Sequence, residues 1–546
     1  MRTSLFVSLL FFSLIRLTAQ SPYANISAEE LRGALRPERT CFDVHYYALH
    51  LAVDMSKQEV SGYVDVDFIT VTRTDRIQLD LYRNMLIEEI SWNGQRLPYE
   101  RVHDAFFVDF PRSLTPNSLQ SVRVKYYGIP MEAKNPPWDG GFVWSLDNKD
   151  RTWLGVACQG AGASLWWPNK DHLSDKPDSV LISITVPEHY FVAANGNLRE
   201  TELVGRKKER FDWFVSYPIN NYNVSFNVGH YLKLSDAFVA SDGRKLALDY
   251  YVIDYNEKKA KKHFQQVKPM LRAYEHYLGD YPFWEDGFAL IETPYLGMEH
   301  QSGIAYGNRY MRGYLGGMLP RGMNWDYIII HETGHEYFGN SICINDHAEL
   351  WIHESFTTYL ESLYVEYHHG KEKAQEYLLM QRPYVRGREA VIGPLNVNYQ
   401  GWETSDHYYK GAWMLHTLRN IVNDDPLWFG MLRSLYQRFK GKNVTTHDIT
   451  RFMSEYLQAD YSIFFDQYLN YPNLPKLEFR QNGKQVEYRW QANCEAFNMP
   501  IDVTFRGVPI RIQPLTTVWS NLGKGKMEDV VVLKDNFLIA TTRLQD

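Results

Sequence analysis

The sequence predicts a multidomain α+β protein: a large antiparallel β domain at the N-terminus, a mostly helical domain in the middle and a small β-sandwich at the C-terminus. Three changes of hydrophobic period predict it. From Cys41 to Tyr231 apolar residues alternate with a period of two and β-branched residues are frequent. After about Asp254 the apolar spacing lengthens to three and four. Around Pro472-Asn-Leu-Pro475 it returns to two. The expected boundaries are 1–19, 20–235, 236–473 and 474–546, the first being a leader.

The elements follow in order. The leader MRTSLFVSLLFFSLIRLTA has Arg2 near its start, an apolar stretch from Leu5 to Ile15, and Ala19 before Gln20. That is the pattern of a secretory signal peptide. Its apolar run is about half the ~20 residues needed to span a bilayer, so the expectation is a protein exported to the periplasm or medium without stable membrane insertion. In the β domain, Val44-His-Tyr-Tyr-Ala-Leu-His-Leu-Ala-Val53 and Tyr63-Val-Asp-Val-Asp-Phe-Ile-Thr-Val71 alternate as half-buried strands do. Asn93-Gly94, Asp139-Gly-Gly and Asn195-Gly196 mark turns between such runs. Ala260, Phe264, Val267, Leu271, Tyr274 and Leu278 lie on one helical face, with Pro269 a point of kinking and Gly279 a stop. Asp425-Pro426 and Thr446-His-Asp-Ile are helix starts. Lys476–Arg480, the turn Gln481-Asn-Gly-Lys and Val486–Trp490 form a hairpin, and Ile501–Phe505, Val508–Ile512 and Val530–Leu533 supply further strands.

Composition excludes several classes. The 546 residues carry 58 Lys and Arg against 65 Asp and Glu, a charge of −7. Without Arg2 and Arg16 the count is 56 against 65. Such a chain lacks the basic surplus of a general nucleic-acid binder. Four cysteines, Cys41, Cys158, Cys343 and Cys494, are too few and too scattered for a disulfide scaffold. Export permits pairing among them, and buried free thiols are an equally good reading. Asn25, Asn223 and Asn443 begin glycosylation sequons. Aromatic residues are 15% of the chain, a surplus suited to strands and pockets.

The chemistry sits in the helical part. Residues 331–335 read His-Glu-Thr-Gly-His. On a helix His331 and His335 lie one turn apart on one face and can share a Zn²⁺ ion, with Glu332 beside them as a base. Chance would give this pattern about 0.04 times in a chain of this length and composition. Glu354, nineteen positions after His335 on a second helical segment, completes a set of two His and one Glu. Three protein ligands with an open position characterise catalytic zinc rather than structural zinc.

These residues resemble a family. HETGHEYFGN followed by Glu354 is similar to the gluzincin aminopeptidases, the group of aminopeptidase N and leukotriene hydrolase, with Tyr337 in place of a Trp. Trp351-Ile-His-Glu-Ser-Phe-Thr-Thr-Tyr-Leu-Glu361 resembles the family's second-helix pattern, with His353 and Ser355 in place of Asn and Gly. Leu296-Gly-Met-Glu-His300 resembles its exopeptidase loop GxMEN, with Leu296 and His300 as departures. Tyr408-Tyr409-Lys410-Gly411 resembles its Tyr-acid-Lys-Gly segment, and Cys158-Gln159 opens a segment similar to the one that reaches the active site from the β domain.

The resemblance implies a thermolysin-like catalytic domain and removal of N-terminal residues from peptides that have a free N-terminus. It implies one Zn²⁺ on His331, His335 and Glu354, Glu332 as general base, and Tyr408 rather than Tyr409 as donor to the oxyanion. Glu299, with Gln159, would bind the substrate's α-ammonium, and the backbone at Gly297 and Met298 its main chain. Glu349 and Glu361 are candidates for carboxylates behind a zinc histidine. Trp166, Trp167, Tyr295, Tyr306, Trp402, Tyr408 and Tyr409 are expected in or near the cleft. The competing readings are a catalytically dead scaffold on the same fold and an endopeptidase or epoxide hydrolase variant. Oligomeric state and preferred first residue are left open.

Overall fold

The structure, a computed structural model, describes residues 23 and 25–544. The expected leader at 1–19 lies outside the described residues. Two sheets form most of the N-terminal region. The larger has eight strands in the order 197–203, 208–215, 179–187, 42–54, 59–70, 119–128, 85–92, 95–96. The smaller has four, at 191–194, 226–229, 152–157 and 141–146. Their apolar faces build one core, from Tyr47, Leu49 and Leu51 to Val180, Ile182 and Ile184.

The large sheet is mixed rather than wholly antiparallel. Phe42–Asp54 pairs in parallel with Ser179–Pro187, Leu49 opposite Ile182. Period two reports which face a residue occupies, not which strand lies beside it, so this pair carries no local signal. Asn93-Gly94, both at positive φ, turns between Trp92 and Gln95 as expected.

Trp166 and Trp167 belong to this core and not to the cleft. Both are fully buried, and Trp167 meets Tyr47 edge-on at 4.9 Å. All four cysteines are free, three of them buried. Asn223 is fully buried and hydrogen-bonded to Asn340, so its sequon is inaccessible in the folded chain.

The central region opens on a five-stranded sheet. Its strands are β1 (Tyr231–Val239), β2 (Lys245–Ile253), β3 (Phe288–Glu292), β4 (Gly297–Met298) and β5 (Ile304–Tyr306), in the order β1-β2-β3-β5-β4. β2, β3 and β5 run parallel, and β4 is the antiparallel edge. β1 crosses residue 235, the boundary expected from sequence.

The helix expected from Ala260 to Leu278 is two helices, α1 (Glu257–His263) and α2 (Val267–Tyr277), joined by a 3₁₀ turn. Pro269 explains the break. Its ring clashes with the carbonyl four residues earlier, at Gln265, and it has no N–H to offer that carbonyl. Gly279 ends α2 at φ 107°, its N–H on the Glu275 carbonyl.

Four more helices matter for the site: α3 (Tyr327–Tyr337), α4 (Trp351–His369), α5 (Asp406–Val422) and α6 (Thr446–Tyr456). α6 starts on a capping box between Thr445 and Asp448. The C-terminal region is a pair of small sheets of four and three strands, built on the hairpin at Lys476–Asn482 and Gln485–Gln491.

Candidate metal centre

α3 contains Ile328, Ile329 and Ile330, three β-branched residues that do not favour a helix alone. Tertiary context decides: Asp326 caps the first turn, accepting from the Ile328 and Ile329 N–H groups, and every residue of α3 is buried. Gly334 lets α4 approach; a Cβ there would lie 2.8 Å from Thr357 Cγ2. That approach brings Glu354 of α4 to the two histidines of α3.

His331 Nε2 and His335 Nε2 lie 3.2 Å apart, and Glu354 Oε2 is 3.5 and 3.3 Å from them. Ligands bound at ~2.0–2.1 Å around tetrahedral zinc sit about 3.4 Å from one another. Glu354 Oε2 is buried and has no hydrogen-bond donor. An orphan carboxylate oxygen facing two imidazole nitrogens fits a cation, and two nitrogens with one oxygen suit Zn²⁺.

The far nitrogens are held. His331 Nδ1 lies 2.6 Å from Glu361 Oε1, whose other oxygen accepts from Tyr377 Oη at 2.6 Å and Gln381 Nε2 at 2.8 Å. His335 Nδ1 donates to the Phe338 carbonyl at 3.0 Å. Each ring therefore presents Nε2 inward in a fixed orientation. Of the two carboxylates considered for this place, Glu361 is bonded to a histidine of the cluster and Glu349 is bonded elsewhere. Glu349 precedes α4 and accepts from the Thr446 N–H at 2.6 Å, at the start of α6. His353 is likewise structural, its Nε2 accepting from the Ile344 N–H at 3.2 Å.

Glu332 lies beside β4: a Cβ on Gly297 would be 3.1 Å from Glu332 Oε1. Burial pushes the Glu332 carboxyl up to about 7, against the opposing charges of His331 and His335. Burial also opposes ionisation of Glu354, but His335 and His331 hold it well below the carboxylate range. Glu299 Oε1 accepts from Gln159 Nε2 at 2.8 Å and from Tyr222 Oη at 3.2 Å. Its carbonyl accepts from Asn340 Nδ2 at 2.8 Å. Glu299, Glu332 and His335 present ligand-type atoms within 4.8 Å of one another. Gly297 and Met298 form β4 on the sheet edge.

Tyr408 stacks near His331, centroids 6.1 Å apart, and its hydroxyl feels the charge of Glu354. Burial and the charges of Glu354 and Glu299 raise its pKa well above 10, so it remains a donor. Tyr409 turns away onto Tyr384, centroids 5.1 Å apart. Trp402 packs on His407 at 4.8 Å, and His407 on Tyr408 at 4.6 Å. Tyr295 and Tyr306 are committed elsewhere, donating to the Val156 carbonyl and to Asp326. Tyr222 escaped the sequence reading; it lies 77 residues before its partner Glu299, with no local pattern to mark it.

Two histidines and a glutamate on two packed helices, with two further buried carboxylates beside them, fit a metallohydrolase. Residues 263–468 match the family described as Peptidase family M1 domain. The leukotriene A-4 hydrolase of Xenopus laevis is 22% identical over 474 residues, 81% of this chain and 73% of that protein. Aminopeptidase B of Mus musculus is 24% identical over 314 residues, covering 54% of this chain and 45% of its own length. The crystal structure of an M1 zinc metallopeptidase variant from Deinococcus radiodurans, bound to a Tyr-Ser-Ala substrate, has a TM-score of 0.64 at 21% identity. It covers 79% of this chain and 94% of that one. Residues 263–468 of the chain thus carry a peptidase family M1 domain, and the fold is that of solved M1 zinc metallopeptidases.

Proposed function

We propose that the protein is an aminopeptidase that removes N-terminal residues from peptides with a free N-terminus. The observation that carries this reading is Glu299. A buried carboxylate, held by Gln159 and Tyr222, stands within 4.8 Å of Glu332 and His335. It can pair with an α-ammonium only when the first peptide bond lies at the metal triad.

One Zn²⁺ on His331, His335 and Glu354 would supply a Lewis acid that acidifies water and polarises the scissile carbonyl. Glu332 accepts the proton of the attacking water and passes it to the leaving amine; a carboxyl poised near neutrality suits both transfers. Tyr408 donates a hydrogen bond to the oxygen as it gains charge. Gly297 and Met298, on an open sheet edge, are placed to bind the substrate's main chain.

The test is hydrolysis of a panel of aminoacyl-arylamides and their N-acetyl counterparts, with and without a chelator. Free-amino substrates are expected to be cleaved, with loss on chelation and recovery on adding zinc. Equal cleavage of the acetylated series would make the protein an endopeptidase instead, and inertness with bound zinc would make it a scaffold. Export is part of the proposal and rests on residues 1–19. Among the described residues no helix is long and apolar enough to cross a membrane. The mass of the protein recovered outside the cytoplasm is expected to correspond to a chain starting at Gln20; a retained Met1 would overturn export.

A further inference from the structure

The strands β2, β3 and β5 run the same way, so their ends at Ile253, Glu292 and Tyr306 lie together. At that end a groove of about 590 Å³ is lined by Lys259 and Lys262 from α1 and by Arg309, Tyr310 and Arg312 from the loop after β5, with Trp325 as part of the wall. No carboxylate lines it. Among the described residues the four cationic side chains form no ion pair and no hydrogen bond.

The nearest acids are spoken for. Glu292 accepts from the Ile253 N–H at 2.8 Å and from Asn256 at 2.7 Å, and its charge also acts on Lys259 and Tyr310 of the groove without forming an ion pair. Asp326 accepts from His263 at 2.6 Å, from Tyr306 at 2.8 Å and from the first turn of α3. The loop is also rigidly held. Arg309 and Tyr310 both take left-handed backbone, φ 56° and 60°, a conformation costly for residues with side chains. Tyr306 Oη pins the Tyr310 N–H at 2.9 Å, and Asn308 Nδ2 binds the carbonyls of Met311 and Gly313.

The groove lies beyond the Gly297 end of the edge strand. β4 is antiparallel to β5, and the Gly307 N–H binds the Leu296 carbonyl at 2.7 Å, so Gly297 sits at the groove end of the edge strand and Glu299 at the other. α3 runs alongside. His335 faces Glu299, while Ile328 and Glu332 face Gly297. A peptide whose amine rests on Glu299 therefore passes Glu332 and continues toward the start of α3, at Asp326. Gln266 and His263, which also line the groove, hold Asp326 there at 2.7 and 2.6 Å. From His335 to Asp326 is nine residues, ~14 Å at a rise of ~1.5 Å each, a span covered by about four extended residues.

We infer that this groove binds carboxylate groups on the downstream part of the substrate, and that the enzyme favours short acidic peptides. The inference rests on the aminopeptidase reading and names its substrate class. The carboxylate can be an Asp or Glu side chain or the peptide's own C-terminus, since four unpaired cations recognise either.

The experiment compares kcat/KM on pentapeptides sharing one first residue. One arm has Glu or Gln at positions four and five with an amidated C-terminus; the other has Gln at both with a free or amidated C-terminus. At low salt the carboxylate-bearing member of each pair is expected to be cleaved at least ~5-fold better, through KM, with the ratio shrinking as salt rises. Arg309→Glu/Arg312→Glu should bring the ratio to one or below. Lys258→Glu, a neighbouring charge change outside the groove, should leave it standing. An advantage in only one arm supports the inference and identifies the source of the carboxylate. No advantage in either arm, or one unchanged by Arg309→Glu/Arg312→Glu, overturns it while leaving the aminopeptidase reading intact. Failure to cleave any unblocked peptide or arylamide would remove both.

Discussion

Two adjacent tyrosines have opposite fates. Tyr408 stands over His331 with the charge of Glu354 beside it, and Tyr409 packs on Tyr384. The side-chain contacts separate the roles although the two residues are neighbours in the chain. Tyr408→Phe is expected to lower kcat by ~10²–10³, the usual effect of removing one oxyanion donor. Tyr409→Phe should change kcat little. Equal losses from the two would remove Tyr408 from the mechanism. Glu332→Gln keeps the side chain's size and removes its basicity. It is expected to retain zinc by elemental analysis while turnover falls by ~10²–10⁴. Near-full activity in that variant would sink the assignment of the base.

At the scale of elements, the contact that matters most joins α4 to α5. Ser355 follows the ligand Glu354, and its Oγ donates to the His407 carbonyl at 2.7 Å. Gly411 lies one turn further along α5, and a Cβ there would stand 1.7 Å from Ser355 Oγ. Only glycine lets the helices meet at this distance, and their meeting sets where Tyr408 stands over Glu354. Gly411→Ala is expected to reduce kcat at least ~10-fold with zinc retained, and to cost about 1–3 kcal/mol of stability as an overpacked contact. Adding Ser355→Gly removes the colliding atoms and should restore part of both. A double variant no better than the single one would show that the contact does not position Tyr408.

Legibility follows the same scale. His331, Glu332, His335 and Glu354 could be read because helical spacing joins the histidines and a second helix brings the carboxylate. Glu361 and Glu349 looked alike in sequence. Helix phase separates them: Glu361 is two turns beyond Glu354 on α4, whereas Glu349 precedes the helix. Gln159 and Tyr222 reach Glu299 across 140 and 77 residues, and only Gln159 carried a pattern to suggest it. Trp166 and Trp167 were misplaced because their segment passes the cleft while their rings point into the β core. The parallel pairing of the large sheet had no local signature at all.

At the scale of the molecule, buried uncharged histidines set the response to acid. Burial lowers His300 to about 3, and burial with the charge of Arg419 lowers His416 to about 3. An unfolded histidine titrates near ~6.5. Above that pH neither state binds these protons and the stability they contribute is complete. Between ~6.5 and about 3 the unfolded chain takes up protons that the folded chain refuses, and stability falls by up to ~1.4 kcal/mol per pH unit for each group. The urea midpoint is therefore expected to drop steadily from pH 7 to pH 4. A flat profile would mean that these histidines are protonated in the fold.

The helix that carries Tyr408 is clamped by residues made much later. Lys410 Nζ donates to the Tyr471 and Pro472 carbonyls, Arg511 to those of Asn420 and Ile421, and the Leu538 N–H to Thr417 Oγ1, 121 positions on. Synthesis proceeds from the amino end, so the metal ligands emerge from the ribosome well before these clamps do. A chain stopped after Pro475 keeps the Lys410 contacts and loses those of Arg511 and Leu538; it is expected to bind zinc yet turn substrate over slowly, and full kcat in that fragment would contradict this. On that expectation, activity arrives last in the protein's own manufacture.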